Sequence, residues 1–189
     1  MFPKKLINTH VVEYHLNPIL AVINSNQEQQ IVIGWVADEQ DGDLGGVFGR
    51  IVDRNNSFVT DEFQVNTIWE DGQHHATLTS FNHGSNFAFS WTHLFEDYAY
   101  IHGQQYNSEP FERKGTEYLV HNVTTMESQT WNNVASFPDG GFLVIWQSWN
   151  GPDFPNRLYY VAGRLFDSNG FFFFFFFFLL DIFEKKKIK

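Results

Sequence analysis

The sequence contains no cysteine and few basic residues, and both shortages exclude classes of function. Without cysteine in its 189 residues, the chain has no disulfide bonds, no thiolate catalysis and no cysteine-based zinc site. Its 12 lysine and arginine residues against 22 acidic residues give a net charge of −10 at pH 7. Because phosphate backbones repel such a chain, we expect no nucleic-acid partner.

Long apolar runs are also missing, apart from the aromatic stretch near the end of the chain. Residues 171–180 have about half the length of a membrane-spanning helix, and Asp181 follows them directly. We therefore expect no membrane span. The first residues include Lys4 and Lys5 but no apolar stretch of signal-peptide length, so no signal peptide is visible in this chain.

Aromatic residues are abundant, and the clearest pattern is a tryptophan that recurs about every 55 residues. The segments IVIGW, FAFSW and FLVIW end at Trp35, Trp91 and Trp146. Each is followed by a segment with a matching glycine: VFGRIVD with Gly49, IHGQQYN with Gly103 and VAGRLFD with Gly163. This recurring order predicts an internal repeat.

A further landmark follows the glycine segment. EFQVNT (62–67) reappears as EYLVHN (117–122), and LINT (6–9) is an earlier trace of the same segment. The predicted array therefore occupies residues 1–170, with repeats at approximately 6–65, 66–121 and a truncated 122–170.

Each repeat contains four short runs rich in β-branched and aromatic residues, bounded by turn formers such as NHGSN and FPDGG. No segment combines helical periodicity with helix caps. The sequence therefore predicts an all-β fold of about three four-stranded antiparallel repeats, arranged as a partial β-propeller. A β-sandwich or a β-solenoid is the alternative. We expect the three repeated tryptophans to lie in the core between the sheets.

These landmarks resemble a repeat of about 55 residues found in largely uncharacterised proteins of bacteria and ciliated protists. The segments DGGFLVIWQS (139–148), DEQDGDLGGVFGRIVD (38–53) and DEFQVNT (61–67) are similar to parts of that repeat. The resemblance covers residues 6–170 and implies multi-blade, propeller-like molecules outside the cell or at its surface. In bacteria such proteins often accompany calcium-binding RTX-type secreted proteins. The resemblance implies no catalytic residues.

An acidic loop between two predicted strands is the candidate metal site. Asp38, Asp41 and Asp43 stand with Glu39 in the segment DEQDGDLGG, and a flexible loop of alternating acids can wrap around a calcium ion. The spacing is not that of an EF-hand, and the matching loops of the other repeats hold fewer acids. A solvated turn is the alternative interpretation. We expect no other cofactor.

The remaining polar residues do not form a recognisable catalytic pattern. The eight histidines lack zinc-ligand spacing with a carboxylate partner, and we expect them at the surface or at strand edges. A glycosidase needs paired carboxylates at a defined separation, whereas the acids here fall mainly in turns. We therefore expect a protein that is not an enzyme. A carbohydrate-active hydrolase of the sialidase or glycosidase kind, built on a propeller, is the alternative.

Eight consecutive phenylalanines stand where the third repeat should have its fourth strand. The first repeat continues at this point as SFVTDEFQVNT, which the third repeat does not reproduce. We interpret residues 171–189, rich first in phenylalanine and then in lysine, as a low-complexity tail outside the fold.

The expected function is that of a non-enzymatic repeat module or fragment of a larger extracellular or cell-surface protein. It would serve as a scaffold for adhesion or ligand binding, with a carbohydrate or a protein as the ligand. Further repeats of the parent chain are the other expected partners, because an incomplete propeller leaves sheet faces and edges exposed.

Overall fold

The computed structural model describes residues 4–11, 14–96, 98–121, 127–150 and 158–178. Within these ranges the chain forms three four-stranded antiparallel sheets. The first has the order β1 (His15–Ser25), β2 (Glu28–Asp38), β3 (Gly45–Asp53), β4 (Phe63–Gln64). The second has the order β5 (Gln73–Phe81), β6 (Asn86–Phe95), β7 (Tyr98–Asn107), β8 (Glu112–Leu119). The third has the order β9 (Glu127–Ser136), β10 (Phe142–Asn150), β11 (Leu158–Phe166), β12 (Phe172–Phe178).

The predicted all-β class is confirmed, and so is the presence of three four-stranded antiparallel sheets, none of which closes on itself. The helical content of the described ranges is a 3-10 turn at Asn82–Gly84, in the hairpin between β5 and β6. Across those same ranges, no helix has the length and apolar character that crossing a membrane requires.

Alternation along the second strand gives each sheet two different apolar faces. On β2, Val32 and Val36 contribute to the core with the second sheet, whereas Ile33 and Trp35 belong to a cluster on the other side. We call the side of each sheet that carries its repeated tryptophan the tryptophan face, and the other side the opposite face. The tryptophan face of each later sheet packs on the opposite face of the sheet before it.

Two buried clusters join the three sheets. The first unites the opposite face of the first sheet with the tryptophan face of the second: Val32, Val36 and Val47 with Phe87, Phe89 and Trp91. The second unites the next pair of faces: Ala88, Ile101 and Val120 with Phe142, Val144 and Trp146. The three repeated tryptophans are 5%, 0% and 2% exposed in chain order. Trp91 and Trp146 lie between two sheets as predicted, whereas Trp35 is buried in a separate cluster with Ala37, Phe48 and Ile7 on the outer side of the first sheet.

Glycines on the third strands make room for an aromatic ring from the fourth strand. Phe63 pairs with Gly49, and a β-carbon at Gly49 would lie 2.8 Å from the Phe63 ring. Tyr118 pairs with Gly103, where a β-carbon would lie 2.9 Å from the Tyr118 ring. A side chain at either position would displace the ring, which explains why both positions hold glycine.

The polyphenylalanine run differs from the expectation that all of 171–189 lies outside the fold. Phe172–Phe178 form β12 and pair antiparallel with β11. In this register Phe176 pairs with Gly163, as an aromatic residue pairs with glycine in the other two sheets. Phenylalanine favours strands, so the run can supply a fourth strand without matching the sequence of the others. Residues 179–189 lie outside the described residues.

The sheets meet through their first strands. β5 contacts β1, β2 and β3, and β9 contacts β5, β6 and β7 in the same manner. The hairpin turns are linked as well, since the Asn82 N–H donates to the Gly140 carbonyl oxygen at 2.8 Å. The first strands and their turns therefore set the spacing between neighbouring sheets.

We expect Trp91→Ala to lower the free energy of unfolding by about 3–5 kcal/mol, because it removes a fully buried ring between two sheets. Trp69→Ala is the matched control. Trp69 is 49% exposed, so its loss should change stability by less than about 1 kcal/mol. Urea unfolding followed by circular dichroism measures both variants. Equal losses would contradict the assignment of Trp91 to the core.

Candidate functional site

A glutamate holds the chain where it passes from the first sheet to the second. After β4, the Val65 N–H donates to the Val47 carbonyl oxygen at 2.7 Å, so the segment still follows the first sheet. The N–H and hydroxyl of Thr67 then donate to Glu117 Oε2 at 2.6 and 2.7 Å. The Ile68 N–H donates to the same oxygen at 3.2 Å. One carboxylate oxygen therefore fastens the outgoing chain to the second sheet.

A matching contact occurs where the N-terminal segment meets the first sheet. The N–H and hydroxyl of Thr9 donate to Glu62 Oε2 at 2.7 and 3.1 Å. Ile7 packs against the cluster that contains Trp35. Both segments, 6–9 and 65–67, thus end on a tryptophan face and are held there by a glutamate.

A buried row of polar side chains continues from Glu117. Its Oε1 lies 2.7 Å from His102 Nδ1, and His102 Nε2 lies 3.5 Å from His93 Nδ1. His93 Nε2 lies 3.1 Å from the Glu70 carbonyl oxygen. The row therefore connects three strands of the second sheet with the chain that arrives from the first.

Three buried histidines correct the expectation that histidines lie at the surface or at strand edges. His93, His102 and His121 are 5%, 7% and 5% exposed. Their sequence-matched positions in the first repeat are also buried and hold Ala37, Phe48 and Asn66. A position that faces a neighbouring sheet buries whichever side chain stands there, and a histidine fits where its ring nitrogens find partners.

The pKa shifts of Glu117 and His93 are those expected of buried side chains that hold strands together. Burial alone would raise the pKa of Glu117, but hydrogen bonds from His102 and Thr67 outweigh this effect and hold the pKa below its usual value. Burial lowers the pKa of His93, and the adjacent His102 lowers it further. The side chains of His102 and Glu117 are 9% and 4% exposed, so the pair is closed to a substrate.

His121 makes a contact that an asparagine makes at the matching place between the first two sheets. The Ile101 N–H donates to His121 Nδ1 at 3.3 Å, as the Val47 N–H donates to Asn66 Oδ1 at 2.8 Å. Burial lowers the pKa of His121 to about 4, with a further contribution from His102. The contact requires a neutral imidazole, because a protonated Nδ1 cannot accept a hydrogen bond.

The three acids of the candidate calcium site make separate contacts. Asp38 ends β2, and Asp41 and Asp43 lie in the loop that follows. Asp41 Oδ2 accepts from Gln64 Nε2 at 2.9 Å, and Asp43 Oδ2 accepts from the Asp71 N–H at 2.8 Å. Over the residues with described structure, no group of three or more acidic or histidine side chains is placed to hold a metal ion. Calcium binding at Asp38, Asp41 and Asp43 stays a prediction.

A bulge interrupts the first strand of each sheet at a matching place. Each bulge contains one residue with positive φ: Asn17 at 52°, His75 at 49° and Trp131 at 55°. Asparagine and histidine adopt this conformation more often than most residues, but a bulky residue such as tryptophan does not. Such backbone strain costs about 1–3 kcal/mol at each residue and concentrates at functional sites.

Residues of the three bulges line one cleft of about 250 Å³, which we call the bulge cleft. Its lining consists of Asn17, His75, Ala76, Thr77, Trp131, Asn132 and Asn133. The centroid of the Trp131 ring lies 4.1 Å from that of the His75 ring, and Trp131 is 64% exposed. The cleft is therefore an aromatic surface surrounded by amide and hydroxyl groups.

One buried amide fixes the floor of the bulge cleft. Asn132 is 6% exposed, and its Nδ2 donates to Thr77 Oγ1 at 2.9 Å and to Ser90 Oγ at 3.1 Å. The Thr92 hydroxyl donates to Asn132 Oδ1 at 3.3 Å. Because Asn132 follows Trp131 directly, these bonds from the second sheet hold the strained bulge of the third in place.

The bulge cleft is not predictable from the sequence repeat. The positive φ of His75 and Trp131 depends on how the strands pair, and no local sequence motif predicts that pairing. The available signal was Trp131 itself, a tryptophan that matches none of the repeated landmarks. A large aromatic residue outside the repeat pattern has no assigned place in the core, and here it is exposed.

Comparison with known proteins adds no further information about this site. No protein-family model, no curated protein and no solved structure matches the chain. The resemblance to the bacterial and ciliate repeats therefore stays a prediction.

We expect stability to fall as the pH decreases from about 6.5 to about 4, because the unfolded chain then protonates His121 while the folded chain resists it. The folded pKa lies below the unfolded one, so the contribution of the neutral ring is complete above that range and is lost across it. His121→Asn keeps the contact that Asn66 makes and removes the titrating group. It should reduce the acid-dependent loss by up to about 3 kcal/mol.

Urea unfolding of His121→Asn and wild type at several pH values between 4 and 7 measures this difference. His83→Asn is the matched control, because His83 is exposed and already has the positive φ that asparagine tolerates. Identical pH profiles for His121→Asn and wild type would contradict the role given to His121.

Proposed function

We propose that the chain is a three-unit segment of a stacked, propeller-like array of β-sheets. In this proposal it acts as a non-catalytic scaffold within a larger protein outside the cell or at its surface. The supporting observation is the matching contact of Glu62 with Thr9 and of Glu117 with Thr67. Residues 6–9 contact the first sheet through Glu62. Residues 65–67, which leave the first sheet, contact the second sheet through Glu117 in the same way.

The tryptophan face of the first sheet is partly exposed, although the corresponding faces of the other two sheets are buried. On the tryptophan face of the first sheet, Leu20 is 67% exposed and Val22 is 46% exposed. Leu78 and Val134 occupy the register position of Leu20 in the second and third sheets, and both pack against the cores between sheets. The first sheet therefore presents a surface that the other two bury.

The opposite face of the third sheet is also partly exposed, although the corresponding faces of the other two sheets are buried. On the opposite face of the third sheet, Ile145 is 36% exposed, and Leu143 and Val161 are partly exposed. Val32 and Val47 of the first sheet, which match Leu143 and Val161, are 0% exposed because the second sheet covers them. The third sheet thus presents the type of surface that receives a tryptophan face.

Two unlike faces that fit each other make a head-to-tail contact, which extends an array in one direction. Further repeats of the same kind are therefore the partners that these faces fit. This supports the role of a scaffold whose stability depends on neighbouring units. Adhesion or ligand binding would then use the surfaces that stacking leaves open.

The composition of the bulge cleft favours binding over hydrolysis. Glycoside hydrolysis requires two carboxyl groups at a defined separation around the scissile bond. The described lining of the bulge cleft contains amides, a hydroxyl, an imidazole and an indole, but no carboxylate. This favours the non-catalytic scaffold over the alternative of a carbohydrate-active hydrolase.

Light scattering after gel filtration tests head-to-tail stacking. Leu20→Glu places a charge on the tryptophan face of the first sheet, and Ile145→Glu places one on the opposite face of the third. We expect wild type to form oligomers and each variant alone to be a monomer. An equimolar mixture should form a dimer and nothing larger, because each variant keeps the face that the other has lost.

Val59→Glu is the control for this experiment, since Val59 is 46% exposed but lies between β3 and β4, outside both faces. It should leave the oligomers of wild type unchanged. A monomeric wild type, or a mixture of the two face variants that stays monomeric, would contradict the proposed stacking.

A further inference from the structure

We propose that the bulge cleft binds a neutral saccharide, with one sugar ring stacked on Trp131. This inference deepens the proposed scaffold function and rests on it, because it names the ligand class that a non-catalytic array would present. It is independent of the two sheet faces that stacking uses. The cleft lies where β1, β5 and β9 approach one another.

Trp131 is exposed at the cleft and held in an unfavourable backbone conformation. Its ring is 64% exposed although its backbone has the unfavourable φ of 55°. Burial of the ring therefore does not offset the cost of this backbone conformation. Its neighbour is the His75 ring, whose centroid lies 4.1 Å away. A tryptophan supported in this way offers a rigid apolar surface to a ligand with a flat hydrophobic face.

The polar groups around Trp131 indicate which groups the ligand carries at the edge of its ring. Asn17 and Asn133 are exposed at the cleft, and Asn133 Oδ1 accepts from the Val134 N–H at 2.8 Å while its amide NH2 remains exposed. The Thr77 hydroxyl belongs to the floor, because it donates to the Ser90 carbonyl oxygen at 3.3 Å and accepts from Asn132. Side-chain amides donate and accept in one plane, which matches neighbouring hydroxyl groups on a ring. A ligand with an apolar face and a hydroxyl-rich edge is a sugar.

The charge state of the cleft favours a neutral ligand. The described lining includes no acidic or basic side chain other than His75. Burial lowers the pKa of His75, and the adjacent His74 lowers it further, so the imidazole is neutral at physiological pH. Its Nδ1 is buried and has no hydrogen-bond partner among the described residues. A neutral cleft offers no counter-charge to a phosphate, a sulfate or a sialic acid.

The size of the cleft limits how much of the ligand it holds. Its volume of about 250 Å³ is below the range of about 300–1,000 Å³ that drug-sized ligands occupy. One ring of an oligosaccharide would therefore enter the cleft while the rest of the chain remains outside. Binding at a single ring of this kind is weak, and repetition along an array would strengthen it.

Isothermal titration calorimetry of the full chain tests the proposal with four neutral probes: cellohexaose, maltohexaose, chitohexaose and mannohexaose. We expect at least one to bind with a Kd of about 1 mM or tighter. Trp131→Asn should weaken this binding by about tenfold or more. The variant keeps the backbone, because Asn17 already occupies the matching bulge with positive φ. Asn133→Ala should weaken binding by about threefold to tenfold.

Trp69→Asn is the matched control, because Trp69 is also exposed but lies outside the cleft. It should leave the affinity unchanged. Circular dichroism and the melting temperature of Trp131→Asn show whether that variant folds, and Asn133→Ala gives a second measurement if it does not. The inference is overturned if none of the four probes binds, if binding survives both cleft variants, or if adenosine binds in the cleft and the sugars do not.

Mass spectrometry of the sugars after the titration tests the non-catalytic scaffold and the saccharide site separately. We expect intact oligosaccharides. Cleavage of a bound probe would overturn the non-catalytic scaffold but leave the cleft as a saccharide site. Intact probes without binding would overturn the saccharide site and leave head-to-tail stacking to its own test.

Discussion

The contact between Glu117 and Thr67 is the interaction on which the joining of the first two sheets depends. A single carboxylate oxygen accepts both the N–H and the hydroxyl of Thr67, and the other oxygen faces His102. A charged acceptor that is mostly buried must be fully hydrogen-bonded, and this one is. The apolar contact of the faces supplies stabilising burial, whereas the glutamate sets where the crossing chain meets the next sheet.

The same arrangement explains why the ends of the segment differ from its middle. A sheet in the middle buries both faces against neighbours, but a terminal sheet buries only one. The first sheet exposes Leu20 although Leu78 and Val134 pack between sheets at the matching positions. The third sheet partly exposes Leu143 and Val161 although Val32 and Val47 are buried at the matching positions. The two terminal sheets therefore each leave one apolar face partly exposed, and these are the faces that the proposed stacking would use. The bulge cleft is lined by the bulges of the first strands, so the proposed stacking and the proposed ligand binding would use separate parts of the molecule.

The sequence was sufficient to predict the all-β class and the three antiparallel sheets, because both depend on periodic features. Trp35, Trp91 and Trp146 recur with matching glycines, and both features have a simple physical cause in packing between strands and sheets. The polyphenylalanine run was placed outside the fold because its sequence does not match the repeat. Backbone pairing with β11 does not require that match, because phenylalanine favours strands whichever sequence surrounds it.

The candidate site was less accessible to sequence reasoning because it depends on departures from the repeat. The acids of the predicted calcium loop are used individually, Asp41 by Gln64 and Asp43 by a backbone N–H. The bulge cleft arises from strand register and from positive φ at His75 and Trp131. Register is a property of two strands together, so neither residue could be assigned to a cleft from its local sequence.

A double-mutant cycle of Glu117→Gln and Thr67→Val tests the central claim most directly, because it isolates the contact that joins the first two sheets. Urea unfolding at pH 7 of wild type, both single variants and the double variant gives the coupling free energy. The account predicts a coupling of about 1–3 kcal/mol, as expected for a buried hydrogen bond to a charged group. Additive effects within about 0.5 kcal/mol would show that the two residues act independently and would contradict the account.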